Sequence, residues 1–142
     1  NWMQHVEMKG IEYTGADIVE ELIEKNNRQR ASEHRRFQVL DLVKDPLPKS
    51  DLVLCRDGLV HLSDKEIKQA LKNIKKSGSK YLLTTSFTEK EINLKIGISH
   101  WRPINFQLLP FHFPEPLFVI RENEEASNFR DKSLCLWAIK DL

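Results

Sequence analysis

The stretch Asp51-Leu52-Val53-Leu54-Cys55-Arg56-Asp57-Gly58-Leu59-Val60-His61-Leu62-Ser63-Asp64-Lys65-Glu66 decides the fold class. Leu52 to Cys55 is a continuous apolar run without alternation, the pattern of a strand covered on both faces. Ser63 followed three residues later by Glu66 is a capping box, which marks the start of a helix. The helix it opens places Ile67, Ala70, Leu71 and Ile74 on one face and stops at Ser77-Gly78. Strand, charged turn and amphipathic helix in that order predict a layered α/β unit.

Working outward, the same order recurs upstream. Ile11 to Asp17 is a β-prone run, and Ile18 to about Arg30 carries apolar residues at Ile18, Val19, Leu22 and Ile23. Glu20, Glu21 and Glu24 lie early in this helix and Arg28 and Arg30 late, as the macrodipole favours. Phe37 to Leu42 predicts a second strand, followed by the turn-rich Lys44-Asp45-Pro46-Leu47-Pro48-Lys49-Ser50. That connection is too short for a helical crossover. Two solutions stay open: an antiparallel hairpin, or an extended link of about nine residues that reaches roughly 30 Å to a distant strand. Downstream, Tyr81 to Thr85 predicts another buried strand, and about Ser86 to Pro116 is a long segment punctuated by Pro103, Pro110, Pro114 and Pro116. Long loops of this kind are usually functional. Leu117–Ile120 and Leu134–Ile139 close the chain as a predicted antiparallel hairpin.

Composition bounds the functions that this fold can serve. The chain has 142 residues, 22 basic and 21 acidic side chains, 40% hydrophobic residues and a formal net charge of +1. This suits one globular domain and provides no basic field for nucleic acid or an anionic membrane. No apolar run approaches the roughly 20 residues of a membrane span, so the expected compartment is the cytoplasm. Cys55 and Cys135 have no second ligand at metal spacing, so two buried thiols are expected and no metal site.

In open α/β sheets ligands bind beyond the carboxyl ends of the strands. Three predicted strands end in charged positions: Ala16-Asp17, Leu40-Asp41-Leu42 and Cys55-Arg56-Asp57. A carboxylate after the second strand of a nucleotide-binding unit accepts hydrogen bonds from ribose hydroxyls. One placed a strand further on can accept from an exocyclic amine. With Tyr13-Thr14-Gly15-Ala16-Asp17-Ile18, Leu40-Asp41-Leu42, Asp51 to Asp57, Val60-His61-Leu62, Lys80 to Thr85 and Trp101-Arg102-Pro103-Ile104-Asn105, the chain resembles the class I S-adenosylmethionine-dependent methyltransferases. The likeness is to bacterial methyltransferase-domain proteins of unassigned substrate and extends over nearly the whole chain.

The resemblance implies a Rossmann-like, mostly parallel seven-stranded sheet with a C-terminal antiparallel hairpin. It also favours the crossing link over the hairpin between Asp41 and Asp51. The cofactor it implies is S-adenosylmethionine, and the reaction is methyl transfer to an unidentified acceptor. Asp17 then matches the ribose contact, Ile18 packs on the adenine, and Asp41 and Leu42 match the adenine contacts by side chain and backbone amide. Arg56 and Asp57 fall beside the methionine part. His61, His100, Trp101 and Arg102 fall on the substrate side, with Asp57, His61 and His100 as candidate bases. Each position also has a plain structural reading: Asp17 as a helix cap, Asp41 as a turn acid, and the segment from Ser99 to Gln107 as a proline-stiffened connector.

One departure from the family pattern is large. Gly10, Gly15, Gly58, Gly78 and Gly97 are scattered, and no glycine-rich turn follows a first strand. The chain begins at Asn1, so the expectation is residues 1–142 as one N-terminally truncated domain, missing its first central strand. Such a sheet offers unpaired edges for self-association. The competing reading is a non-catalytic methyltransferase-like binding or scaffolding module. A dehydrogenase-type nucleotide fold also needs a glycine-rich turn and fits the terminal hairpin less well.

Overall fold

The computed structural model describes residues 8–95, 101–122 and 129–142. It divides the chain into two compact units, residues 1–41 and 42–142.

The first unit is a β-α-β element. Strand β1 (Tyr13–Asp17) leads into helix α1 (Glu20–Arg30) and returns as β2 (Arg35–Val39), which pairs parallel to β1. The helix starts two residues later than the periodicity predicts. Asp17 Oδ1 accepts the Val19 amide at 3.0 Å, and this local turn occupies Ile18 and Val19 before the helical bonds begin. Strand β2 likewise ends at Val39 rather than Leu42, because its register is set by pairing Tyr13 with Arg35 and Asp17 with Val39. Gly15 has a steric reason: a Cβ there would lie 2.6 Å from the Phe37 ring, which packs edge-on to Tyr13 at 5.9 Å. Asn27 ties α1 to β2, its amide donating to Phe37 O and accepting from Phe37 N.

The second unit holds a four-stranded sheet in the order β3-β4-β6-β5, from β3 (Leu52–Cys55), β4 (Tyr81–Phe87), β5 (Phe118–Arg121) and β6 (Lys132–Ala138). Strands β3 and β4 are parallel, and β6 runs antiparallel to both β4 and β5. The terminal hairpin therefore forms as predicted, and the hairpin alternative between Asp41 and Asp51 does not: β2 pairs with β1, and β3 with β4. Of the seven strands that the resemblance implies, the described residues hold six, in sheets of two and four. Among the described residues, β1, β2, β3 and β5 each have one unpaired edge.

Helix α2 (Asp64–Lys76) begins at the predicted capping box. Ser63 Oγ accepts the Glu66 amide, and Glu66 Oε2 accepts the Ser63 amide at 2.9 Å. Ile67, Ala70 and Ile74 are fully buried against Leu82, Cys135 and Trp137 in the core of this unit. Gly78, at φ +71°, supplies the left-handed residue that ends the helix. Strand β3 departs from the expected burial. Val53 and Cys55 pack on the core, but Leu52 and Leu54 are exposed, because β3 is an edge strand with an apolar covering on one face only.

The long segment after β4 is anchored by amide side chains. Asn93 donates to the carbonyls of Asn105 and Leu109, both at 2.8 Å, and accepts the Asn105 amide at 2.8 Å. Ile104 and Phe106 are wholly buried. The register places Cys55, Thr84 and Cys135 in one row across three adjacent strands. Two strand spacings, about 10 Å, separate the thiols, so both stay free. Burial pushes both thiols up in pKa, Cys135 to about 11.

Candidate functional site

In the first unit, the chain leaving β2 passes directly over the end of β1: the Leu40 amide donates to Asp17 O at 3.0 Å. Asp41 is the next residue. Asp17 is thus the last residue of β1 and Asp41 lies two residues past β2, so both stand at the carboxyl ends of two adjacent parallel strands, where an open α/β unit presents its ligand groups. Asp17 both organises the turn into α1 and keeps its second carboxylate oxygen for another donor, since the Val19 bond uses Oδ1. Ile18 is 68% exposed, an apolar side chain held outside the packing of its unit. An open pocket of about 200 Å³ on this unit reaches Asp17 and is bounded also by Tyr13, Gly15, Ile23, Arg35 and Phe37.

The remaining predicted positions belong to the second unit. Leu42 packs partly against the core, and its carbonyl and that of Val43 accept from Asn73 Nδ2 at 3.2 and 2.7 Å. This clamp fixes the turn that starts at Leu42. Arg56 and Asp57 form the turn after β3, and Asp57 holds φ +57°, a left-handed conformation uncommon for a residue with a side chain. Its amide donates to Thr85 Oγ1 at 2.8 Å, and the Thr85 hydroxyl donates to Asp57 Oδ1 at 3.3 Å. Lys132 Nζ reaches Asp57 Oδ2 at 3.0 Å, and Arg56 Nε donates to Glu122 Oε1 at 2.6 Å. The sequence singles out Arg56 and Asp57 but not Thr85, Glu122 and Lys132, which the fold brings into contact with them. Their only sequence signal is a position at a predicted strand end, which many charged residues share.

His61 closes a short 3-10 turn, Leu59–His61, and is exposed. Trp101 packs edge-on against Phe87 at 5.9 Å and Phe129 at 5.1 Å. Arg102 is 4% exposed; its guanidinium donates to Leu94 O at 2.9 Å and to Asp64 Oδ1 at 2.5 Å. The structure therefore uses Trp101 and Arg102 to seat the connector on the core, the plainer of the two readings of that segment. His100 lies outside the described residues. Among the described residues no group of three or more His, Cys, Asp or Glu side chains could hold a metal, and no helix is long and apolar enough to cross a membrane.

No family model matches the chain, and no curated protein matches it. Solved structures do. An S-adenosylmethionine-dependent methyltransferase from Methanosarcina mazei is 17% identical over 92% of this chain and 83% of its own, with a TM-score of 0.62. The N-methyltransferase NodS from Bradyrhizobium japonicum is 14% identical over 88% of this chain and 71% of its own, with a TM-score of 0.58. Human N-acetylserotonin methyltransferase, solved with S-adenosylmethionine, is 26% identical over 56% of this chain, with a TM-score of 0.47. The chain spans only 24% of that protein's length. The chain carries an α/β fold shared with S-adenosylmethionine-dependent methyltransferases: a parallel β-α-β element in the first unit and a mixed, Rossmann-like four-stranded sheet closed by a C-terminal antiparallel hairpin in the second.

Proposed function

We propose that this chain is a S-adenosylmethionine-dependent methyltransferase domain acting on an acceptor of unassigned identity. The observation that carries this reading is the pair Asp17 and Asp41 at the carboxyl ends of adjacent parallel strands, in a chain with a methyltransferase fold. The donor set fits the cofactor's nucleoside: ribose hydroxyls and an exocyclic amine are hydrogen-bond donors, and both carboxylates are acceptors. Asp17 would hold the ribose, exposed Ile18 would cover the adenine, and Asp41 with the Leu42 amide would read the adenine edge. Arg56 and Asp57 are proposed as contacts for the amino-acid end. S-adenosylmethionine supplies a methyl group already activated by its positive sulfur, so the protein's share is mainly proximity and orientation. A base is needed only for an acceptor that arrives protonated, and exposed His61 is the described imidazole proposed for that side.

A second reading, a non-catalytic binding module, is favoured by one observation: the five glycines are scattered along the sequence, with no glycine-rich run after a predicted strand. Without such a run the backbone cannot approach the cofactor closely. The chain is therefore expected to bind S-adenosylmethionine no tighter than the millimolar range, and a sub-millimolar dissociation constant in calorimetry overturns that expectation. Titration of the chain with S-adenosylhomocysteine, followed by amide NMR, tests the cofactor reading itself. Shifts centred on Asp17 and Asp41, weakened about tenfold by Asp17→Ala, are the expected result. No shift at any residue refutes it.

A further inference from the structure

Four charged side chains from three separate segments meet at the carboxyl end of the four-stranded sheet. Arg56 and Asp57 follow β3, Glu122 follows β5, and Lys132 opens β6 opposite Phe87, the last residue of β4. Because β6 is antiparallel to its neighbours, its first residue lies at the end where β3, β4 and β5 finish. The Glu122 amide donates to Lys132 O at 3.1 Å, which holds the two side chains side by side. Lys132 Nζ lies 3.0 Å from Asp57 Oδ2 and 3.3 Å from Glu122 Oε2. Arg56 Nε lies 2.6 Å from Glu122 Oε1, and Arg56 Nη1 lies 3.6 Å from Asp57 Oδ2. Among the described residues, two cations and two carboxylates thus form a ring of alternating charge.

Burial divides the ring in two. The Lys132 and Glu122 side chains are 12% and 11% exposed, whereas those of Arg56 and Asp57 are 33% and 35% exposed. An ammonium held between two carboxylates at that depth is committed to them, since removing either partner leaves a buried charge uncompensated. The outer pair remains reachable and presents a cation and an anion next to each other. That arrangement complements the carboxylate and ammonium of a zwitterionic α-amino-acid group. Asp57 also needs support to keep its left-handed backbone, and Thr85 and Lys132 supply it.

We propose that Lys132 and Glu122 are positioning residues that hold the Arg56–Asp57 turn in the orientation in which it receives the amino-acid end of the cofactor. The inference rests on the cofactor reading above and acts through Arg56 and Asp57; neither buried residue touches the ligand. The test is an NMR titration of the full chain with S-adenosylhomocysteine, carried to about tenfold beyond the midpoint of the unmodified chain, observing the Arg56 side chain and the Asp57 amide. In the unmodified chain both signals move as ligand is added. In Lys132→Met the Arg56 and Asp57 shifts require about tenfold more ligand, and Lys132→Arg restores them. Thermal unfolding and the remaining amide spectrum establish that each variant is folded. Should Lys132→Met not fold, Glu122→Gln, which keeps its size and its acceptor for Arg56, is expected to show the same loss. A folded Lys132→Met that titrates like the unmodified chain overturns this inference and leaves the cofactor reading standing. So does a Lys132→Arg that titrates like Lys132→Met. An unmodified chain with no shift at any residue overturns both.

Discussion

Arg102 shows how far one side chain can be from the role that its neighbourhood in sequence implies. Within Trp101-Arg102-Pro103 it looks like a cation poised over a substrate. In the fold it is buried, its amide donates to Val60 O, and its guanidinium joins Leu62 O, Asp64 and Leu94 O. The Asp64 side chain is itself 41% exposed, so water can still reach that carboxylate when the guanidinium is gone. The carbonyls of Leu62 and Leu94, in contrast, lose a charged donor. Arg102→Met should therefore cost about 2–3 kcal/mol, toward the low end for a broken buried pair. Urea unfolding checks this, and an unchanged midpoint would show the guanidinium to be dispensable. Asp17 combines both kinds of role, since one oxygen organises the entry to α1 while the other remains open to a ligand donor.

At the scale of elements, α2 is the part whose local sequence and tertiary surroundings agree most fully. Its N-terminus is closed by the Ser63 and Glu66 bonds, Asp64 and Glu66 occupy the first turn, and Lys75 and Lys76 the last. These terms all favour the same start and end. Ser63→Ala removes one of the two reciprocal bonds and should destabilise the second unit by about 1 kcal/mol, read as a lower urea midpoint with unchanged slope. A loss near zero would mean that packing of Ile67, Ala70 and Ile74 alone sets the helix start. Helix α1 differs: Val19 makes no side-chain cap bond, and Ile23 is the one buried residue described in it. Its entry is set by the Asp17 turn, which is why a periodicity reading places its start too early.

For the whole molecule, the two units differ in how their backbone is protected. Strands β4 and β6 have partners on both sides and cover fully buried Leu82, Cys135 and Trp137, whereas β1 and β2 form a two-stranded ribbon backed by one helix. Amides of β4 and β6 should exchange with solvent on the order of tenfold or more slower than those of Gly15 and Phe37. Hydrogen exchange followed by NMR checks this, and equal protection in both units would refute it. The sequence by itself determined the element types and their order, the capping box of α2, the terminal hairpin and the strand-end carboxylates Asp17 and Asp41. All of these rest on local periodicity, capping chemistry and turn residues, which act within a few positions along the chain. Tertiary structure decided the ends of β2, the one-sided burial of β3, the packing roles of Trp101 and Arg102, and the ring of Arg56, Asp57, Glu122 and Lys132. The physical reason is separation: Lys132 and Asp57 are 75 residues apart, and only strand pairing brings their charges within 3.0 Å.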